Sequence, residues 1–261
     1  MRLTFLGTGT SFGIPVVGCR CATCTSGDPR DRRTRHGALL RTEGGNLLVD
    51  APPELRLQLL AADEPRVDAL WITHTHADHV AGLDDVRIFS ARRGGALPTH
   101  VAAAHVDGLV SRFDYIFDPE VVPPRGTSKP RLELLPFDED DVVSAVGREL
   151  RPLRVPHGPM DVFGFRTGGL GYVTDAGRLP PEASRTLEGV RVLVLNALWF
   201  GNPHPTHLNV EEAVEVARRV GAERTFLTHL THRVRHRELL DRLPEGVEPA
   251  YDGLDVEIPE P

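Results

Sequence analysis

Four side chains able to bind a metal fall within six residues at His74-Thr75-His76-Ala77-Asp78-His79, directly after the apolar run Ala69 to Thr73. Residues i and i+2 of an extended segment project to the same side, so His74 and His76 can grip one ion. Asp78 and His79, one turn further on, then face a second. Neutral imidazole nitrogen and carboxylate oxygen are donors that zinc, manganese and iron accept. A polar loop of solvated histidines is the competing reading, and four donors packed this closely behind a buried strand argue against it. A second cluster, Cys19, Cys21 and Cys24, has the spacing C-x-C-x₂-C. Three clustered cysteines do not make a disulfide framework and read better as a metal clip.

The elements that must position these groups are short and interleaved. Strands are expected at Arg2 to Leu6, Leu47 to Asp50, Ala69 to Thr73, Leu170 to Thr174, Val190 to Leu195 and Phe226 to Thr228. Thr8 to Pro15 is a glycine-rich turn region. One helix is expected to open at Pro53, where a proline in the first turn loses no hydrogen bond. Another is expected over Val80 to Ser90, from the stripe Val80, Leu83 and Val86. The best helix is Asn209 to Val220, with Asn209 and Glu212 at capping-box spacing. Strands alternate with helices and no repeat or linker interrupts them, which predicts an α/β (α+β) chain folded as one domain over residues 1–261.

Composition narrows the function classes. The 261 residues carry 30 Lys and Arg against 37 Asp and Glu, a formal charge of −7. That balance argues against a general nucleic-acid binder, which needs a basic field, but leaves room for a small phosphorylated substrate held by a local cationic site. No apolar run approaches the ~18 residues of a membrane span, and the first residues do not form a signal peptide. The expected setting is cytoplasmic, with no membrane and no stable nucleic-acid partner; a homodimer is compatible with this reading.

The His-x-His-x-Asp-His motif after a strand resembles the metallo-β-lactamase fold superfamily of binuclear hydrolases. Later residues match its ligand order. His157, in Val155-Pro156-His157-Gly158, stands as the third histidine of the first ion. Asp175, in Tyr172-Val173-Thr174-Asp175, stands as the bridging carboxylate, and His229, in Phe226-Leu227-Thr228-His229, completes the second site. The stretch Leu6-Gly7-Thr8-Gly9-Thr10-Ser11-Phe12-Gly13-Ile14-Pro15, the cysteines, Asp28 to Arg35 and Ala77 to Arg87 are similar to one branch. That branch contains the phosphoribosyl 1,2-cyclic phosphate phosphodiesterase of the carbon–phosphorus lyase pathway. It implies a structural zinc on Cys19, Cys21, Cys24 and His232, a closed Cys₃His shell with no place for catalysis. It also implies that His207, in Pro205-Thr206-His207-Leu208-Asn209, contacts the scissile phosphate and protonates the leaving oxygen. Asp78 is expected both to ligate the second ion and to orient the nucleophile.

The fold this resemblance implies is a four-layer αββα sandwich with the metals at one open edge and a zinc-clipped N-terminal loop. The implied reaction is hydrolysis of a small cyclic phosphodiester, of phosphoribosyl cyclic phosphate or 2′,3′-cyclic nucleotide type, by hydroxide shared between two ions (manganese or zinc, or iron). Alternatives are a tRNA 3′-processing endonuclease, an iron-dependent redox protein of the same fold and a non-catalytic metal scaffold. His204, three residues before His207, is a rival for that role, but is expected to be a loop residue. His36, His100, His105 and His236 match nothing and are assigned to the surface or to packing. Most of Arg30 to Arg35 is expected to be a solvated or salt-bridged face.

Overall fold

The computed structural model describes residues 1–260. Fourteen strands form two seven-stranded sheets. The first holds β1 (Arg2–Gly7), β2 (Gly37–Thr42), β3 (Gly45–Val49), β4 (Ala69–Ile72), β5 (Leu97–Ala102) and β6 (Leu132–Phe137). The second holds β7 (Val143–Ala145), β8 (Arg148–His157), β9 (Met160–Thr167), β10 (Leu170–Tyr172), β11 (Val192–Asn196), β12 (Arg224–Thr228) and β13 (Val247–Pro249). The last strand, β14 (Asp255–Glu257), returns to the first sheet beside β1, giving the orders β14-β1-β2-β3-β4-β5-β6 and β13-β12-β11-β10-β9-β8-β7. In each sheet the first three pairings along β14 to β3, or along β7 to β10, are antiparallel and the remaining three are parallel.

Side-chain alternation explains the layers. In β3 and β4, Leu47, Val49, Ala69 and Trp71 enter the core between the sheets, while Leu48, Leu70 and Ile72 point outward onto Leu55, Leu59 and Phe89. In β11, Val192 and Val194 face inward, and Leu193 and Leu195 pack on Val210, Ala213 and Val216 of the helix Val210–Val220. Strands buried on both faces therefore read as continuous apolar runs, as parallel strands covered by helices do. The result is the expected αββα sandwich. The inner core is closed by Trp71, which stacks on Phe137 at 4.4 Å and donates its indole N–H to the carbonyl of Phe163 across the sheets at 2.9 Å. No helix among the described residues is long and apolar enough to cross a membrane.

Local expectations fare unevenly. The Asn209 capping box is complete: its side chain accepts from the Glu212 amide at 2.8 Å, and the Glu212 carboxylate accepts from the Asn209 amide at 2.8 Å. The helix expected at Pro53 begins at Leu55, after a turn in which Leu55 bonds the carbonyl of Pro52. Val80 to Ser90 is not one helix. It breaks into Ala77–Val80, a 3₁₀ turn at Leu83–Val86 and Arg87–Arg93, because Gly82 sits against the backbone of Ala51 and Pro52. A Cβ on Gly82 would lie 2.1 Å from the Pro52 carbonyl oxygen, so only glycine fits. Asp50 is outside its strand, turned into the left-handed region at φ 62°.

Candidate metal centre

The sequence-separated donors meet beyond the C-terminal ends of the parallel strands, where open α/β sheets place their ligands. Asp50 follows β3, His74 to His79 follow β4, Asp175 follows β10 and His229 follows β12; His157 ends β8. Among the described residues, three of the five non-glycine residues with left-handed backbone are Asp50, Asp175 and His229, at φ 62°, 52° and 56°. Strain is thus concentrated at the site.

Donor atoms of His74, His76 and His157 converge within 4.8 Å of one another, as do those of Asp78, His79 and His229. Asp175 joins the two sets: it groups with His74 and His79 on one side and with His157 and His207 on the other. Its Oδ2 lies 3.5 Å from Nε2 of His79, 3.3 Å from Nε2 of His229 and 3.2 Å from Nε2 of His207. Every residue expected at the active centre is brought here.

Asp50 is a functional residue that sequence reasoning passed over as a strand end. Its carboxylate accepts from Nδ1 of His79 at 2.7 Å, and from the amide and hydroxyl of Thr73 at 2.8 and 2.9 Å. Thr73 Oγ1 lies 3.1 Å from Nδ1 of His74, so one buried carboxylate orients two histidines. An aspartate closing a buried strand was the available signal. His157 is held in the same manner, its Nδ1 donating to the Thr206 carbonyl at 2.9 Å.

Three observations fit this cluster to divalent cations. With their Nδ1 atoms engaged, His74 and His79 turn buried Nε2 atoms inward with no hydrogen-bond partner, and both nitrogens of His229 are likewise bare. Burial opposes a charge on His79, yet Asp175 and Asp50 outweigh it and hold its pKa well above the usual histidine range. Burial similarly pushes Asp78 and Asp175 up. For Asp78, the neighbouring His229 and His79 win and hold it at about 2; for Asp175, they hold it well below the carboxylate range. These buried carboxylates stay ionised and call for positive charge.

His207 stands at the rim, two residues before the cap of the helix Val210–Val220. Burial draws its pKa down to about 4, against the pull of Asp175. Its Nδ1 is 2.9 Å from the Thr206 hydroxyl, and the Thr206 amide points at Nδ1 of His204 at 3.3 Å. In the assignment that uses each proton once, Thr206 O–H donates to His207, leaving the His207 Nε2–H aimed into the site. His204, expected to be a plain loop residue, therefore backs His207, with ring centroids 5.2 Å apart.

Three residues beyond His229, Nδ1 of His232 lies 3.3, 3.5 and 3.6 Å from Sγ of Cys19, Cys21 and Cys24. Zinc–sulfur and zinc–nitrogen bonds of about 2.3 and 2.0 Å place tetrahedral donors about 3.5 Å apart. The donor set thus fits zinc. The Cys24 amide directed at Cys21 lowers that thiol to about 6, while burial raises Cys24 to about 11. The arginine run is largely paired: Arg30 with Asp28 and Arg35 with Glu54. Arg33 is salt-bridged too, and buried: it is 1% exposed, pairs with Asp31 at 3.2 Å and donates to the carbonyls of Thr231 and Val234. It locks the turn that carries His232. His36, His100, His105 and His236 are all buried, none on the surface.

The fold and the site define a class. Residues 45–230 match the model of the beta-lactamase superfamily domain, and the chain belongs to that superfamily, within its PhnP family. The crystal structure of a new diphosphatase from the PhnP family is 35% identical, with a TM-score of 0.90 over 99% of this chain and 98% of that one. An octanoyltransferase of Porphyromonas gingivalis is 35% identical over all of this chain, which spans only 52% of that relative's length. A ribonuclease Z of Methanopyrus kandleri is 28% identical, covering 88% of this chain and 94% of that protein.

Proposed function

We propose that the protein is a binuclear metal-dependent phosphodiesterase that hydrolyses a small cyclic phosphodiester, of phosphoribosyl cyclic phosphate or 2′,3′-cyclic nucleotide type. The observation that carries this reading is the convergence of bare buried imidazole nitrogens on Asp78 and Asp175, with the N–H of His207 aimed at the same space. His74, His76 and His157 would hold one ion and Asp78, His79 and His229 the second, with Asp175 within reach of both; Cys19, Cys21, Cys24 and His232 would hold a structural zinc. When bound, the pair of divalent ions, manganese, zinc or iron, polarises the phosphoryl group and supplies a nucleophilic water at neutral pH. The diphosphatase and ribonuclease Z relatives support attack at phosphorus, since the names of both place their chemistry there.

The chain's own residues do the rest. Asp50, directly and through Thr73, keeps the Nε2 atoms of His79 and His74 facing inward throughout turnover. Asp78 orients the attacking water. His207 donates its Nε2–H to the phosphoryl or leaving oxygen. Its low pKa reflects burial, and an arriving phosphodiester anion raises it, so the proton is held when the substrate is in place. In that charged ring the Thr206 hydroxyl turns to accept from Nδ1–H, so the Nε2 proton passes to the leaving oxygen and a neutral imidazole remains.

A substrate panel tests this reading. Adenosine 2′,3′-cyclic phosphate, bis(p-nitrophenyl) phosphate and a nucleoside diphosphate derivative should be assayed beside nitrocefin and S-lactoylglutathione, with manganese, zinc and iron added separately. Turnover of phosphodiesters and none of the lactam or thioester is expected. His207→Ala should cut turnover by ~10²–10⁴ without changing metal content, as loss of one general acid does. Thioester cleavage with no action on any phosphodiester would reverse the assignment.

A further inference from the structure

His36 matches no motif, yet it is wholly enclosed and lies under the candidate centre. Its Nδ1 is 3.1 Å from Oγ1 of Thr228 and its Nε2 is 2.6 Å from the hydroxyl of Tyr172. The enclosed ring meets two hydroxyls and no carboxylate, so it is neutral, with one donor and one acceptor. The buried Tyr172 hydroxyl has His36 as its hydrogen-bond partner, so it donates to Nε2. Nδ1–H is then left to donate to Thr228. His36 precedes β2 in one sheet, while Tyr172 ends β10 and Thr228 ends β12 in the other. The network therefore ties the two sheets together immediately beneath the site.

His229 needs such support. Nδ1 of His74, His79 and His157 is each fixed by a hydrogen bond, whereas neither nitrogen of His229 has one. Its backbone is left-handed, and its orientation comes from packing. The ring lies between His207, at 4.9 Å and 17°, and His79, at 5.9 Å and 21°. His36 closes the underside, its ring 5.6 Å from His79 and 6.1 Å, edge-on, from His229.

We propose that His36 is a positioning residue for one half of the centre, that of Asp78, His79 and His229: it anchors Thr228, the residue before His229, and supports the His79–His229 ring pair from below. The inference rests on the metal reading above, and its loss is confined to one of two ions. His36→Phe keeps a flat ring but leaves two buried hydroxyls unpartnered, whereas Tyr172→Phe breaks only the link that does not lead to His229.

The test is calorimetric titration of metal-stripped protein with zinc, paired with elemental analysis. In His36→Phe, one of the two histidine-cluster ions should bind ~10–100-fold more weakly, the usual cost of losing support behind a ligand. The other ion and the cysteine-bound zinc should keep wild-type affinity. Thr228→Val should weaken the same ion, and it carries the test alone should His36→Phe fail to fold. Tyr172→Phe should lower the melting temperature while leaving that ion within about threefold of wild type, because it spares the Thr228 anchor. Unchanged affinities in His36→Phe and Thr228→Val, or equal losses at both ions, would overturn the inference. Wild-type protein that takes up metal only at its cysteines would strike down the metal reading itself, and this inference with it.

Discussion

Asp175→Ala is expected to lower phosphodiester turnover by roughly 10³-fold or more, beyond the ~10–100-fold cost of losing a residue that stands behind a ligand. The reason is position. Asp175 Oδ2 is within 3.5 Å of His79, His229 and His207 and 4.0 Å of His74, so one carboxylate reaches both donor sets and His207. The variant should fold, because Asp175 hangs from a left-handed turn after β10 and belongs to none of the apolar clusters. Metal content at the histidines should fall with turnover while the cysteine-bound zinc stays. Near-normal hydrolysis of bis(p-nitrophenyl) phosphate would contradict the shared-carboxylate arrangement.

The second large effect is expected at the cysteines. Cys21 and His232 are 211 residues apart in sequence and 3.5 Å apart in space, and His232 is three residues beyond His229. A zinc here would join the N-terminal loop to the turn that carries His229. Because the ion binds the folded arrangement, its binding free energy adds to stability. Forfeiting only about 3 kcal/mol of the ~10–16 kcal/mol typical of zinc-finger sites lowers the melting temperature of a chain this size by roughly 6–12 °C. Cys21→Ser should therefore lose about one zinc per chain, melt earlier and retain reduced activity. The buried Arg33–Asp31 pair continues to hold the 231–236 turn, which is why activity should survive. An unchanged zinc count, with His232→Ala equally silent, would remove the zinc clip.

Residues that touch a candidate ion were legible in the sequence because metal chemistry restricts both residue type and spacing. The strand-then-motif order at His74 to His79 and the C-x-C-x₂-C cluster are local signals that survive without a structure. Residues that act from behind were not legible. Asp50 supports His79 from 29 positions away and His36 reaches Thr228 across 192, and neither has a spacing to read. The same division holds for the fold. Asn209 and Val220 bounded their helix correctly because cap chemistry is local. The segment Val80 to Ser90 misled because its apolar stripe comes from three short pieces, broken where Gly82 meets the chain at Pro52. The antiparallel β8–β9 pair went unseen, since Pro152, Pro156 and Gly164 interrupt its pattern.

The most direct measurement is metal add-back. Protein stripped at the histidine cluster, with its cysteine-bound zinc retained, should be titrated with manganese while hydrolysis of adenosine 2′,3′-cyclic phosphate is followed. No turnover is expected in the stripped protein, then a rise that saturates at about two added equivalents, the stoichiometry of a two-metal site. Turnover that persists without metal at the histidines, or two equivalents taken up there with no phosphodiester hydrolysed, would contradict the proposed function.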